Sequence, residues 1–195
     1  QGHSNIARAQ ARLWADEGDR LSVARRMYAF RFGKILPHRD IAVLRGVEGA
    51  RMKETYKLVA DRFRVPWQGR RYDRSNPNAT DIPNQAINHA ATFVECAADV
   101  AVAAVGALPP LGFIHEDSSN AFTLDIADLY RAEVTIPLAF KVARKALDDP
   151  TLIIERTLRR EAAMEFRRTK LISNMIERIK ELLNVDDGGS NTQRE

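Results

Sequence analysis

Residues 81–106 read DIPNQAINHAATFVECAADVAVAAVG, and this stretch decides the fold. Asp81 has the side chain of a helix N-cap, Pro83 falls in the first turn where its missing N–H costs nothing, and Gly106 is a stop signal. The segment is rich in alanine and valine, and after Phe93 it is nearly apolar all round. A helix with no polar face belongs inside a protein, so residues 81–106 are expected to form a buried central helix with other helices packed around it.

The flanking sequence supplies those helices. Residues 5–15 and 19–32 carry apolar side chains at helical spacing, among them Leu21, Ala24, Met27, Tyr28 and Phe32. Asp40 caps a segment running to about Phe63, with Ile41, Leu44, Val47, Met52, Tyr56 and Val59 on one face. Gly46 and Gly49 flank Glu48 and weaken that helix by about 1 kcal/mol each relative to alanine. They point to the close approach of another helix or a ligand, or to a break. Residues 65–80 form a loop or short hairpin turning at Gln68-Gly69, and Leu108–Ile114 is an apolar loop built on Pro109-Pro110. Helices follow over about 121–132 and 134–147, eased or separated near Pro137, and a final helical pair covers about 151–184. The tail 186–195, DDGGSNTQRE, has no apolar content and is expected to be disordered. The reading is one all-α domain over residues 1–185.

Composition narrows the function classes. With 45% hydrophobic residues the chain can bury a sizeable core, and no apolar run approaches the ~20 residues of a membrane helix. No membrane partner is expected. The N-terminus has no signal-peptide core, and a single cysteine, Cys96, rules out an internal disulfide and a cysteine zinc cage. A cytoplasmic setting fits. Residues 1–75 carry 17 Lys/Arg against 8 Asp/Glu, whereas residues 76–150 carry 4 against 10. A basic first part beside an acidic middle suits a polyanion surface next to a cation site, or simply solvated helices.

Residues 112–131, GFIHEDSSNAFTLDIADLYR, hold the candidate chemistry. Asp125 and Asp128, at i and i+3, share a helix face and can converge on one cation, with His115 offering an imidazole from the preceding loop. Glu48 is the candidate third carboxylate. Oxygen and imidazole ligands suit Mg²⁺ or Mn²⁺ better than zinc. The plain alternative is a hydrated acidic face with an unligated histidine. No Ser–His–Asp or Cys–His arrangement and no Gly-rich phosphate loop is present.

Four fragments in order, Leu44-Arg45-Gly46-Val47-Glu48-Gly49, Trp67-Gln68-Gly69-Arg70-Arg71-Tyr72-Asp73, Gly112-Phe113-Ile114-His115 and Asp125-Ile126-Ala127-Asp128, resemble the C-terminal helical domain of CRISPR-associated protein one, in its type I-E branch. Arg25-Arg26-Met27-Tyr28 and Arg31-Phe32-Gly33 extend the likeness, which runs from about residue 5 to 180. The resemblance implies a divalent-metal-dependent DNA integrase and endonuclease that inserts new spacer DNA by 3′-hydroxyl attack on a phosphodiester. It implies Mg²⁺ or Mn²⁺ held by Glu48, His115 and Asp128, with Asp125 ligating through water or orienting His115. It also implies double-stranded DNA (prespacer and repeat) as substrate, CRISPR-associated protein two as partner, and a homodimer in the full-length protein.

Arg45, Arg51, Arg70, Arg71 and Tyr72, and the later Arg159, Arg160, Arg167, Arg168 and Lys170, then become candidate DNA contacts that position phosphates without reading sequence. Trp67 is read as a packing residue. Three departures bear on substrate contacts. Asp117-Ser118, preceded by Glu116, stands where a Gly-Lys usually follows the histidine, Glu95 replaces an aromatic on the long helix, and Leu124 replaces an aromatic before Asp125. The family's N-terminal β-rich domain has no counterpart in these residues, so the chain alone is expected to be monomeric and poorly active. The alternative reading is a catalytically silent DNA-binding or assembly module of the adaptation complex.

Overall fold

The computed structural model describes residues 2–38, 40–71 and 81–184, with side chains from residue 5 onward. Its elements are α1 (Gly2–Ala15), α2 (Glu17–Phe32), α3 (Ile41–Phe63), α4 (Ile82–Val105), α5 (Ala121–Leu129), α6 (Ile136–Asp148), α7 (Ile154–Thr169) and α8 (Leu171–Leu182), with a π turn over Arg131–Thr135. No strand occurs among the described residues, which form an all-α fold. The tail and Tyr72, with the second half of the expected hairpin, lie outside the described residues; residues 65–71 are irregular chain.

The expected caps form. Asp40 accepts from the Ala42 N–H at 2.7 Å and Asp81 from the Asn84 N–H at 3.0 Å, so each helix start has one orphan donor satisfied. Gly106 ends α4 in the left-handed region at φ 75°. Helix α4 is the central element and packs against α1, α5, α6, α7 and α8. Ile87, Ala90, Val94, Ala98 and Ala101 are fully buried, but Val100 and Cys96 are exposed. The surrounding helices therefore leave one strip of α4 in solvent, and the expectation of burial all round was too broad. Leu21 and Val47 likewise face outward, because the apolar spacing of α2 and α3 continues past the residues that find partners.

Two apolar cores lie on either side of the middle of α4. The first joins α1, α2, the C-terminal half of α4, α5 and α8; the second joins the C-terminal half of α3, the N-terminal half of α4, α6 and α7. Helix α3 gives Leu44 to the first and Tyr56 to the second, and Glu48 lies between them. The break after α5 comes before Pro137. It is a π turn, in which the Thr135 N–H donates to the Tyr130 carbonyl at 3.2 Å, and Pro137 then opens α6 where a proline is tolerated.

Candidate metal centre

His115 is aimed by a fixed loop. Buried Gln10 on α1 donates to the carbonyls of Leu108 and Leu111, both at 3.0 Å, and accepts from the Leu108 N–H at 2.7 Å. Trp14 donates to the Gly112 carbonyl at 3.0 Å. A Cβ on Gly112 would lie 2.2 Å from the His115 carbonyl oxygen and 2.7 Å from Ala121 Cβ, so only glycine lets the loop fold back this tightly.

Asp125 completes the aim. It is fully buried, and its carboxylate accepts from the backbone N–H groups of Phe113, Ile114 and His115 at 2.6, 3.1 and 3.0 Å. Its Oδ1 also lies 2.7 Å from His115 Nδ1. With Nδ1 protonated toward Asp125, the Nε2 lone pair is left free on the other side, the arrangement in which a histidine serves a metal. Nε2 lies 3.9 Å from Asp128 Oδ2. The Asp125 hydrogen bond raises the His115 pKa above the ordinary imidazole value, against a smaller opposing effect of burial. The i, i+3 aspartates therefore diverge in duty: Asp125 orients the imidazole, and Asp128 alone faces outward beside it. The hydrated acidic face does not apply to Asp125.

Asp128 is shared. Arg131, first residue of the π turn, donates from Nη1 to Asp128 Oδ1 at 3.2 Å and from Nε to the Tyr56 hydroxyl at 3.3 Å. Arg31, at the end of α2, has Nη1 at 2.6 and 2.8 Å from the two Glu48 oxygens and Nη2 at 3.4 Å from Asp128 Oδ2. Burial alone would weaken the Arg31 charge; Asp128 and Glu48 outweigh it, and the pKa is raised. Glu95 on α4 also meets this cluster: burial, and then the Asp128 charge, raise its pKa. A narrow cleft of about 50 Å³ opens between Arg31, Glu48, Asp128 and Arg131.

The donor types suit a hard divalent cation: a free imidazole nitrogen beside Asp128, and Glu48 linked to Asp128 through Arg31. Among the described residues no three His, Cys, Asp or Glu side chains converge to metal-holding distance, and the Arg31 guanidinium bonds to both Glu48 and Asp128. Sequence reading missed Arg31 and Arg131 as members of this cluster. Arg131, three residues after Asp128, was visible as a helical neighbour; Arg31, 97 positions away, was not.

The expected DNA contacts scatter. Arg45 is exposed and reaches the Ile114 carbonyl at 3.5 Å; Arg51 donates to the Arg31 carbonyl at 2.8 Å. Arg70 pins its loop to α4 through Asn84 at 3.0 Å and Asn88 at 2.6 Å, and Arg71 is exposed beside it. On α7, Arg159 pairs with Glu155 and Arg168 with Glu165, each at 2.6 Å, and Arg167 donates to the Ala163 carbonyl. Arg160 is exposed, and Lys170 ends the helix at φ 52°. None of the α7 side chains shares a hydrogen bond or ion pair with the His115 cluster. Trp67 stacks on Tyr56 at 5.2 Å and meets Phe140 edge-on, a packing role as expected.

Comparison with known proteins agrees with this arrangement. The family described as CRISPR associated protein Cas1 matches residues 31–152. The CRISPR-associated endonuclease Cas1 of Geobacter sulfurreducens is 36% identical over 89% of this chain and 56% of its own length. That of Escherichia coli K12 is also 36% identical with the same coverage, and one from Rhodospirillum rubrum is 37% identical. The chain thus spans about half the length of the curated relatives it matches, and identities this even do not single out the type I-E branch. The crystal structure of a TtCas1–DNA complex superposes with a TM-score of 0.83 at 34% identity, covering 91% of this chain and 65% of that one. A casposase bound to its integration product reaches a TM-score of 0.72 over 96% of this chain and 71% of its own, at 14% identity, and shows the fold alone. With the family match covering more than half its residues, this chain belongs to the CRISPR-associated Cas1 family.

Proposed function

We propose that this chain is the helical domain of a divalent-metal-dependent DNA integrase and endonuclease of CRISPR adaptation, with Glu48, His115 and Asp128 holding Mg²⁺ or Mn²⁺. The observation that carries the reading is the His115–Asp125 pair, which fixes the imidazole and leaves Nε2 turned toward Asp128. When bound, the cation supplies charge neutralisation at the phosphate and lowers the pKa of the attacking 3′-hydroxyl. The 3′-oxygen bonds to phosphorus while the resident phosphorus–oxygen bond breaks, and the departing oxygen takes up a proton.

The chain's own residues position these groups. Asp125 keeps His115 in one orientation, and Arg131 holds the second oxygen of Asp128. The exposed guanidinium of Arg45 and Arg71, with Arg51 and Arg70, would meet phosphates of double-stranded DNA on the α3 side, and the α7 cations would meet a more distant stretch. Tyr72, outside the described residues, stays a proposed DNA contact from the sequence alone. No covalent enzyme intermediate is required. CRISPR-associated protein two as partner, a homodimer of the complete protein and a cytoplasmic setting belong to the same proposal. No helix among the described residues is long and apolar enough to cross a membrane.

The test is strand joining by this chain with a protein-two partner, using DNA ends carrying either a 3′-hydroxyl or a 3′-dideoxy sugar. Joining that requires Mn²⁺ and the hydroxyl, and disappears in His115→Ala, is the expected result. Arg31 between the carboxylates and the acidic Glu116-Asp117 favour the second reading, a DNA-holding module without catalysis. That reading predicts DNA binding indifferent to Mn²⁺, with no cleavage or joining.

A further inference from the structure

We propose that Arg31 is an internal placeholder cation, and that a divalent ion binds between Glu48 and Asp128 only by displacing its guanidinium. The inference rests on the reading that Glu48, His115 and Asp128 hold the ion, and it adds how that site is kept when the ion is absent.

Two carboxylates facing each other in partial burial repel unless a cation lies between them. The side chains of Glu48 and Asp128 are 17% and 24% exposed, and Arg31, at 7%, fills the space. The geometry shows what holds it there. Nη1 is bonded to both Glu48 oxygens and Nη2 to Asp128 Oδ2, whereas the buried Nε has no partner. Every hydrogen bond of the guanidinium thus goes to an oxygen that an incoming ion would claim. The guanidinium also lies over the face of Tyr28, 5.4 Å away.

The two oxygens of Asp128 have separate duties. Oδ1 is held by Arg131, while Oδ2 is at once the Arg31 acceptor and the oxygen nearest His115 Nε2. An ion bridging His115 and Asp128 therefore competes with Arg31 for one atom. Loading is an exchange of a singly charged group for a doubly charged one, so the empty site stays assembled and weakly binding cations are rejected.

The experiment measures Mn²⁺ affinity by calorimetry for the unaltered chain, Arg31→Gln, His115→Ala and the double variant, with circular dichroism and melting to establish folding. Arg31→Gln should bind about tenfold more tightly or better, the factor imposed by a site free about a tenth of the time. The gain should vanish in the double variant. Equal or weaker binding by folded Arg31→Gln, while the unaltered chain shows a His115-dependent site, would overturn the placeholder and leave the metal reading intact. Binding by Arg31→Gln alone supports the placeholder in a stronger form. No His115-dependent binding in any variant would instead end the metal reading, and the placeholder with it. If Arg31→Gln does not fold, Mg²⁺ titration of the unaltered chain decides by ¹⁵N NMR: Mg²⁺ must release the slowed Arg31 side chain, and an unchanged signal overturns the inference.

Discussion

Asp125 and His115 are joined at 2.7 Å, the carboxylate fully buried and the imidazole side chain 38% exposed. The fold thus uses a buried carboxylate to orient one ring. Since the pairing raises the His115 pKa, the protonated ring stabilises the metal-free fold. That contribution is complete below the unfolded value of about 6.5 and is lost as pH rises through the raised folded value. Metal needs the neutral ring, so Mn²⁺ affinity should climb across the same upper window. In Asp125→Asn the His115 titration, followed by NMR without metal, should move down. An unmoved midpoint would remove Asp125 as the cause.

Gly112→Ala should act on the site through the backbone. The added carbon meets the His115 carbonyl and Ala121, neither of which can yield cheaply. Destabilisation of about 1–3 kcal/mol in urea unfolding is expected, as for overpacking elsewhere, together with weaker Mn²⁺ binding. A neutral substitution would mean that the loop is looser than its contacts imply.

Gly46→Ala and Gly49→Ala should do the reverse. Neither glycine has an atom within 4 Å of an added Cβ, and α3 runs through both without a break. Each substitution should raise stability by about 1 kcal/mol through helix propensity alone. Weaker DNA binding in the stabilised variants would assign the glycines to a close-approaching strand; unchanged binding would leave them without that role.

Much of the fold was legible because it is written locally. Asp40, Asp81 and Gly106 mark helix ends by side-chain and backbone chemistry that needs no distant partner. The depth of burial was not, since Val47, Leu21 and Val100 fit the apolar pattern but find nothing to cover them. The site divides the same way. Glu48, His115, Asp125 and Asp128 carried a recognisable pattern, yet spacing put both aspartates on one cation, whereas the backbone N–H groups of residues 113–115 claim Asp125. Gln10, buried and bonded to a loop about a hundred residues away, gave no local signal at all. Arg31 read as one basic residue among many until the fold placed it between two carboxylates.

His115 Nε2 is proposed to bind a divalent ion together with Glu48 and Asp128. Pulsed EPR of Mn²⁺ added to this chain tests it most directly, because a coordinated imidazole nitrogen modulates the electron spin echo. Coupling to one imidazole nitrogen is expected, lost in His115→Ala, with a loss of affinity in Glu48→Ala and Asp128→Ala. Bound Mn²⁺ without nitrogen coupling, or with coupling that survives His115→Ala, would contradict it.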